Sequence, residues 1–187
     1  MEWLFPFGIG LLVGGAAVTV WMDRVGRKRR GLREIMSSAI GFRLATGPRV
    51  VALGGGTGLS TLLRGLKGYT RNITAIVTVT DEGGSSGRLR TEWGVLPPGD
   101  VRNCIIALAE NDSALNRILN FRFDKGELAG HCLGNLVLLA VTELAGDFRL
   151  AVEEMNKLLA IRGRVLPVTT EAVTIAGMDS KGNRYRG

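Results

Sequence analysis

The segment that most constrains this chain runs from Arg49 to Leu66, where a short apolar run meets five residues poor in side chains and then an amphipathic stretch. Arg49-Val50-Val51-Ala52-Leu53 reads as a buried parallel strand, Gly54-Gly55-Gly56-Thr57-Gly58 as a loop, and Leu59 to Leu66 as a helix. Strand, glycine loop and helix in that order open an α/β sheet. Glycines accept positive φ and let backbone N–H groups approach a ligand, while the following helix start offers partial positive charge to a phosphate. The spacing is G-x-G-x-G, neither the dinucleotide pattern G-x-G-x-x-G nor a phosphate loop ending in Gly-Lys-Ser/Thr. On these residues alone the loop is either a phosphate seat or a tight turn that packs helix on strand.

A second unit of the same kind follows. Ile73 to Val79 alternates β-branched residues with threonines and ends at Asp81-Glu82-Gly83-Gly84-Ser85-Ser86-Gly87-Arg88-Leu89-Arg90. Ligands of open parallel sheets bind beyond the carboxyl ends of the strands, so both glycine-rich segments are expected to face one crevice. Asp81 stands where an acid meets a ribose hydroxyl in dinucleotide folds; equally, Asp81 and Glu82 beside Ser85 and Ser86 suit a divalent cation such as Mg²⁺ on a phosphate. Arg88 and Arg90 are either a bidentate phosphate clamp or surface charges. Leu96-Pro97-Pro98-Gly99 then stops the chain, and a helix is expected from Val101 to about Glu110 with Asp100 as its N-cap. Arg102 and Asn103 fall in its first turn, toward a ligand or toward solvent.

Gly130-His131-Cys132-Leu133-Gly134 has the outline of a hydrolase nucleophile elbow with Cys for Ser. A triad needs its base elsewhere in the chain, and His131 is the single histidine, so the hydrolase reading largely fails. Gly134-Asn135 before Leu136 to Leu144 instead marks another helix start, with His131 and Asn135 free to meet a ligand or, for His131, buried and satisfied. Cys104 and Cys132, the two cysteines, carry neither zinc nor redox spacing and read as reduced thiols. Leu115 to Phe123 and Phe148 to Leu159 are expected as helices, Arg164 to Val168 and Ala172 to Ala176 as strands.

Ahead of this domain, Trp3 to Met22 holds no charged residue, long enough as a helix to cross a hydrocarbon core of about 30 Å. Trp3 and Trp21 stand at its ends, and a basic cluster follows. With no positive charge before it and no small-residue cleavage site after it, the run reads as an uncleaved anchor, or else as a buried helix or a misassigned start. Residues 23–33 hold six of the basic groups and one acid, so they supply most of the net charge of +7. Membrane topology and anionic headgroups explain that cluster, and nucleic-acid binding loses its support. The remaining composition, 45% hydrophobic and 22% charged, excludes disorder and a disulfide scaffold. The expected organisation is an anchor over 1–22, a basic linker over 23–48 and a domain over 49–187, held at the inner, cytoplasmic face of a membrane.

The succession of Val51 to Ser60, Asp81 to Leu89, Leu96 to Asn103, Gly130 to Asn135 and Arg162 to Pro167 closely resembles the gluconeogenesis factor (YvcK-like) family, related to 2-phospho-L-lactate transferase (CofD). The resemblance covers about Arg49 to the end and implies the first half of a Rossmann-like three-layer fold, the chain stopping inside a hairpin or strand. It implies a regulator that binds a UDP-sugar or another nucleotide diphosphate, serving cell shape and growth on gluconeogenic carbon sources. The alternative is an Mg²⁺-dependent transfer of a phospholactyl-nucleotide group to an acceptor alcohol. Gly54, Gly55, Gly56, Thr57 and Gly58 would approach the phosphates, Asp81 and Glu82 the sugar or metal, while Asn103, His131 and Asn135 would line the pocket with Ser85, Ser86 and Arg88. Glu82 stands where the family pattern has Asp, and Cys132 where it has Ser.

Overall fold

Three short apolar runs pair as parallel strands, and their order sets everything around them. The computed structural model describes Met22, residues 36–109 and residues 114–186. β1 (Val50–Gly54) and β3 (Arg164–Pro167) flank β2 (Ile73–Val77), with Ala52 beside Ala75 and Ala75 beside Val165. That row of small and branched side chains is buried, and helices pack onto it. In chain order the helices are α1 (Thr57–Leu66), α2 (Gly84–Trp93), α3 (Gly99–Leu108), α4 (Ala114–Leu119), α5 (Leu133–Ala145) and α6 (Phe148–Leu158); α1, α3 and α6 touch the strands, while α2, α4 and α5 pack on other helices. A separate antiparallel hairpin, β4 (Ala176–Met178) and β5 (Arg184–Arg186), follows.

The patterning explains which helices lie deepest. In α6 the buried residues are Phe148, Ala151, Val152 and Met155, a single stripe at helical spacing, and Asp147 caps it by accepting the Leu150 N–H at 2.8 Å. α3 has no polar side to spare: Val101, Cys104, Ile105, Ile106, Ala107 and Leu108 are all buried, and so is Arg102. It packs against α1, α5, α6 and the sheet, which makes it the central helix. On the opposite sheet face Val51 and Leu53 stay 60% and 69% exposed. The described residues thus form two layers where three are expected.

Several sequence expectations shift. Asp81 to Arg90 is expected as a loop, yet Gly84–Trp93 is a helix, ended by Gly94 at φ 67°. Its glycines depress helix propensity; Ser85, Ser86, Gly87 and Leu89 are buried against neighbours, and tertiary packing overrides the local preference. The strand expected at Ala172 to Ala176 forms instead over Ala176–Met178, and the helix expected from Leu115 ends at Leu119.

The membrane helix is corrected. Among the described residues no helix is long and apolar enough to cross a membrane. α5 has 13 residues, which at 1.5 Å each gives about 20 Å, well short of a hydrocarbon core of about 30 Å. The α/β part of the expected architecture stands without the span. Apart from Met22, which is exposed, the run from Trp3 to Met22 lies outside the described residues. The same finding overturns the expected tether to the inner face of a membrane, since no described helix provides it.

Candidate functional site

Past the carboxyl end of β2, the chain passes through Asp81 and turns into α2, and here a cleft of about 160 Å³ opens between helix starts. Its walls are Asp81 and Gly83 to Ser86 from the β2–α2 segment, Gly99, Asp100, Arg102 and Asn103 from α3, with Arg122 and Asn135. A second cleft, about 330 Å³, lies at the other end of the strands beside Arg49, Arg71 and Arg164. Ligand chemistry in such sheets belongs to the carboxyl end, where helix N-termini point.

The helix starts are tied together by short polar side chains. Ser86 Oγ accepts the Gly99 N–H at 3.1 Å, joining α2 to α3, and a Cβ at Gly99 would sit 2.3 Å from that oxygen. Ser85 Oγ joins α2 to α5: it accepts from Asn135 Nδ2 at 3.0 Å and from the Cys132 N–H at 3.4 Å, and lies 3.1 Å from His131 Nδ1. With both lone pairs of the hydroxyl engaged, its proton points to Nδ1, so His131 is neutral with its own proton on Nε2. Burial also pulls His131 below its usual range, helped by Arg88. His131 is therefore an acceptor buried behind the cleft rather than a group lining it.

The two walls differ in charge. Asp81 and Asp100 bring carboxylates, and Asp100 is raised above the usual range first by burial and then by Asp81, while the Gly56 N–H and Arg102 oppose the rise. Across from them is Arg102, only 7% exposed. Its Nη1 donates to Cys132 Sγ and its Nη2 to Asn103 Oδ1, neither partner a carboxylate, and its buried Nε has no partner. Burial pulls the guanidinium down most, Cys132 opposes this and Arg122 adds to it. Arg122 is placed by a backbone bridge to Cys132 and by its own Nη1 donating to Gly130 O at 2.7 Å. Asn135 Oδ1 is a second buried atom without a partner. Buried polar groups in native folds are normally satisfied, so these two atoms beside one cleft call for a partner from outside the chain, a water or a ligand.

Of the residues expected at the site, Asp81, Ser85, Ser86, Asn103 and Asn135 line the cleft. Arg88 is not among the lining residues; it donates to Ala129 O at 2.8 Å and lies 3.9 Å from Glu92. Glu82 turns to Arg90 at 3.2 Å, which leaves Asp81 and Asp100 as the acid pair able to share a divalent cation with phosphate oxygens. Among the described residues no group of three or more His, Cys, Asp or Glu is gathered. Gly54 to Gly58 do not line the cleft, and the reason is Asp100. Its carboxylate accepts the Gly56 N–H, and a Cβ at Gly56 would stand 2.1 Å from Asp100 Oδ1. The loop seats a carboxylate of the protein itself at the start of α1. Gly56→Ala is expected to cost about 1–3 kcal/mol through this overlap, read as a lower urea midpoint, whereas a neutral result would mean that Asp100 swings away freely.

The sequence offers Asp100 as a cap and leaves Arg102 facing a ligand or solvent. The signal available was an arginine within an otherwise apolar helix face, where an exposed charge has no room. Arg122 left no signal in the sequence, since only the backbone bridge brings it near.

The profile of the family described as 2-phospho-L-lactate transferase CofD matches residues 50–187. The gluconeogenesis factor of Bacillus subtilis (strain 168) is 53% identical over 68% of this chain and 41% of its own length. That of Halalkalibacterium halodurans is 50% identical over 74% of this chain and 43% of its own. A solved UPF0052-family protein from Bacillus halodurans superposes with a TM-score of 0.70 at 46% identity, covering 75% of this chain and 46% of that one. The chain thus spans less than half the length of these relatives.

Proposed function

Since this chain belongs to the CofD family, and relatives about half identical to it are named gluconeogenesis factors, we propose that it is a nucleotide-sugar-binding regulator whose cleft takes the diphosphate. A UDP-sugar is the ligand of choice. The observation that carries this reading is Arg102, a guanidinium 7% exposed at the cleft with no carboxylate among its hydrogen-bond partners. A buried cation with no carboxylate hydrogen-bonded to it is costly, and a phosphate group reduces the cost while taking two parallel N–H bonds. Asn103 and Asn135 add polar groups for the sugar or base, and Mg²⁺ between Asp81 and Asp100 would screen the acid wall from the phosphates.

The test is thermal unfolding of the 187-residue chain with and without a UDP-sugar and Mg²⁺. Ligand at a hundred times its dissociation constant adds about 2.7 kcal/mol, a rise of roughly 5–10 °C for a domain of this size. No shift at millimolar ligand would remove the reading. A second reading, transfer of a phospholactyl-nucleotide group to an acceptor alcohol, draws on the description of the family profile and on the facing acids Asp81 and Asp100. Phosphorus NMR of the same mixture, with the alcohol added, distinguishes turnover from binding.

A further inference from the structure

Within the segment Gly130 to Asn135, Asn135 alone lines the cleft, yet His131 and Cys132 each bond a residue that lines it, Ser85 and Arg102 in turn. Cys132 is 1% exposed and stands at the N-cap of α5 without capping it. Its sulfur is engaged elsewhere: it accepts from Arg102 Nη1, and its S–H donates to Leu119 O at 3.2 Å. Two residues on, Gly134 leaves a gap that the Arg102 stem fills. A Cβ there would lie 2.6 Å from Arg102 Cδ and 2.6 Å from Leu119 O. Leu119, Cys132 and Gly134 thus form a socket around one arginine, and Asn103 Oδ1 holds the second nitrogen of its fork.

We infer that Cys132 is a positioning residue: its sulfur locks the Arg102 guanidinium so that the free edge of the fork meets the oxygens of a phosphate group in the cleft beside Arg122. The inference rests on the diphosphate reading above and deepens it by naming the phosphate subsite and the device that aims it. An arginine with a free stem loses rotamer entropy on each binding event; one already held by sulfur, amide and a glycine gap does not. A sulfur is suited to this place because a thiol accepts and donates at once while remaining a small apolar filler of a buried socket. A carboxylate there would neutralise Arg102 and compete with the ligand. An alanine would leave Nη1 without a partner and the guanidinium free to turn.

The experiment compares inorganic pyrophosphate binding to the wild type, Cys132→Ser and Cys132→Ala by calorimetry, alongside ¹⁵N spectra of the arginine guanidinium groups. Wild type and Cys132→Ser are expected to bind within about threefold of each other, since a hydroxyl keeps both the acceptor and the donor. Cys132→Ala is expected to bind about tenfold more weakly, the loss of roughly one charge-assisted hydrogen bond in preorganisation. In the spectra, the Arg102 side-chain N–H signals should show hindered rotation in the wild type and Cys132→Ser, and averaging in Cys132→Ala. A purely structural thiol would lower the unfolding temperature of the alanine variant and leave pyrophosphate affinity unmoved, which overturns the inference. Freely rotating Arg102 signals in the wild type overturn it as well, even if the alanine variant fails to fold. Wild type that leaves pyrophosphate unbound while Arg102 is still locked sinks the diphosphate reading, and the binding role of Cys132 with it.

Discussion

Arg102→Met is expected to abolish measurable binding of a UDP-sugar or of pyrophosphate while leaving the unliganded protein as stable as before, or more so. Methionine keeps much of the stem that lies against Gly134 and discards the charge. Two hydrogen bonds to an ionised phosphate, each worth about 1.5–3 kcal/mol, correspond to a loss of at least about a hundredfold in affinity. On the stability side the arginine is a liability, because it is 7% exposed, lacks a carboxylate partner and carries a buried Nε with no partner at all. Replacing a buried, poorly compensated charge by an apolar group of similar volume is often neutral or stabilising. Opposite signs for affinity and stability are the usual mark of a group retained for function. Calorimetric titration and urea unfolding on the same two preparations check both halves. Parallel loss of binding and of fold would reduce Arg102 to a structural residue.

Gly163→Ala is expected to destabilise the domain by about 4 kcal/mol or more. Gly163 enters β3 with φ 105°, outside the regions open to alanine, so the backbone alone is strained by about 1–3 kcal/mol. The new Cβ would also stand 2.4 Å from Ile73 O and 3.2 Å from Ile73 C, backbone atoms at the start of β2 that no rotamer change can move. Relief requires β3 to separate from β2, and with it the pairing of Ala75 with Val165 at the centre of the core. Against a total stability of roughly 5–15 kcal/mol, such a variant sits near unfolding at 37 °C. Gly58→Ala is the matched control. Nothing lies within 4 Å of its Cβ position in α1, and a helical alanine is expected to be neutral or favourable by up to about 1 kcal/mol. Thermal midpoints of the two variants side by side decide the matter; equal midpoints would mean that β3 tolerates displacement.

Much of the architecture is legible in the chain. The apolar runs that become β1, β2 and β3, the start of α3 after Pro97-Pro98, and the helical stripe of α6 all follow from period and punctuation. α2 was hidden, because Gly84, Ser85, Ser86 and Gly87 are poor helix formers and only their burial against α3 and α5 fixes them. At the site, Asp81, Ser85, Ser86, Asn103 and Asn135 are recognisable as polar residues at strand and helix ends. The partnership of Asp100 with the glycine loop is not recognisable, since the two lie far apart in sequence and meet only because α3 packs on α1.

By itself, then, the sequence determined the three parallel strands, the helices other than α2 and the end of the sheet at which polar chemistry collects, because those depend on local periodicity and on where glycines and helix starts fall. Tertiary structure alone decided which charges face one another: Asp100 onto Gly56, Arg102 into the socket of Cys132 and Gly134, and Arg122 beside it. The physical reason is range. Propensity and pattern act over a turn of helix or a few residues of strand, whereas a buried charge takes its partner from whichever element packs against it, at any distance along the chain.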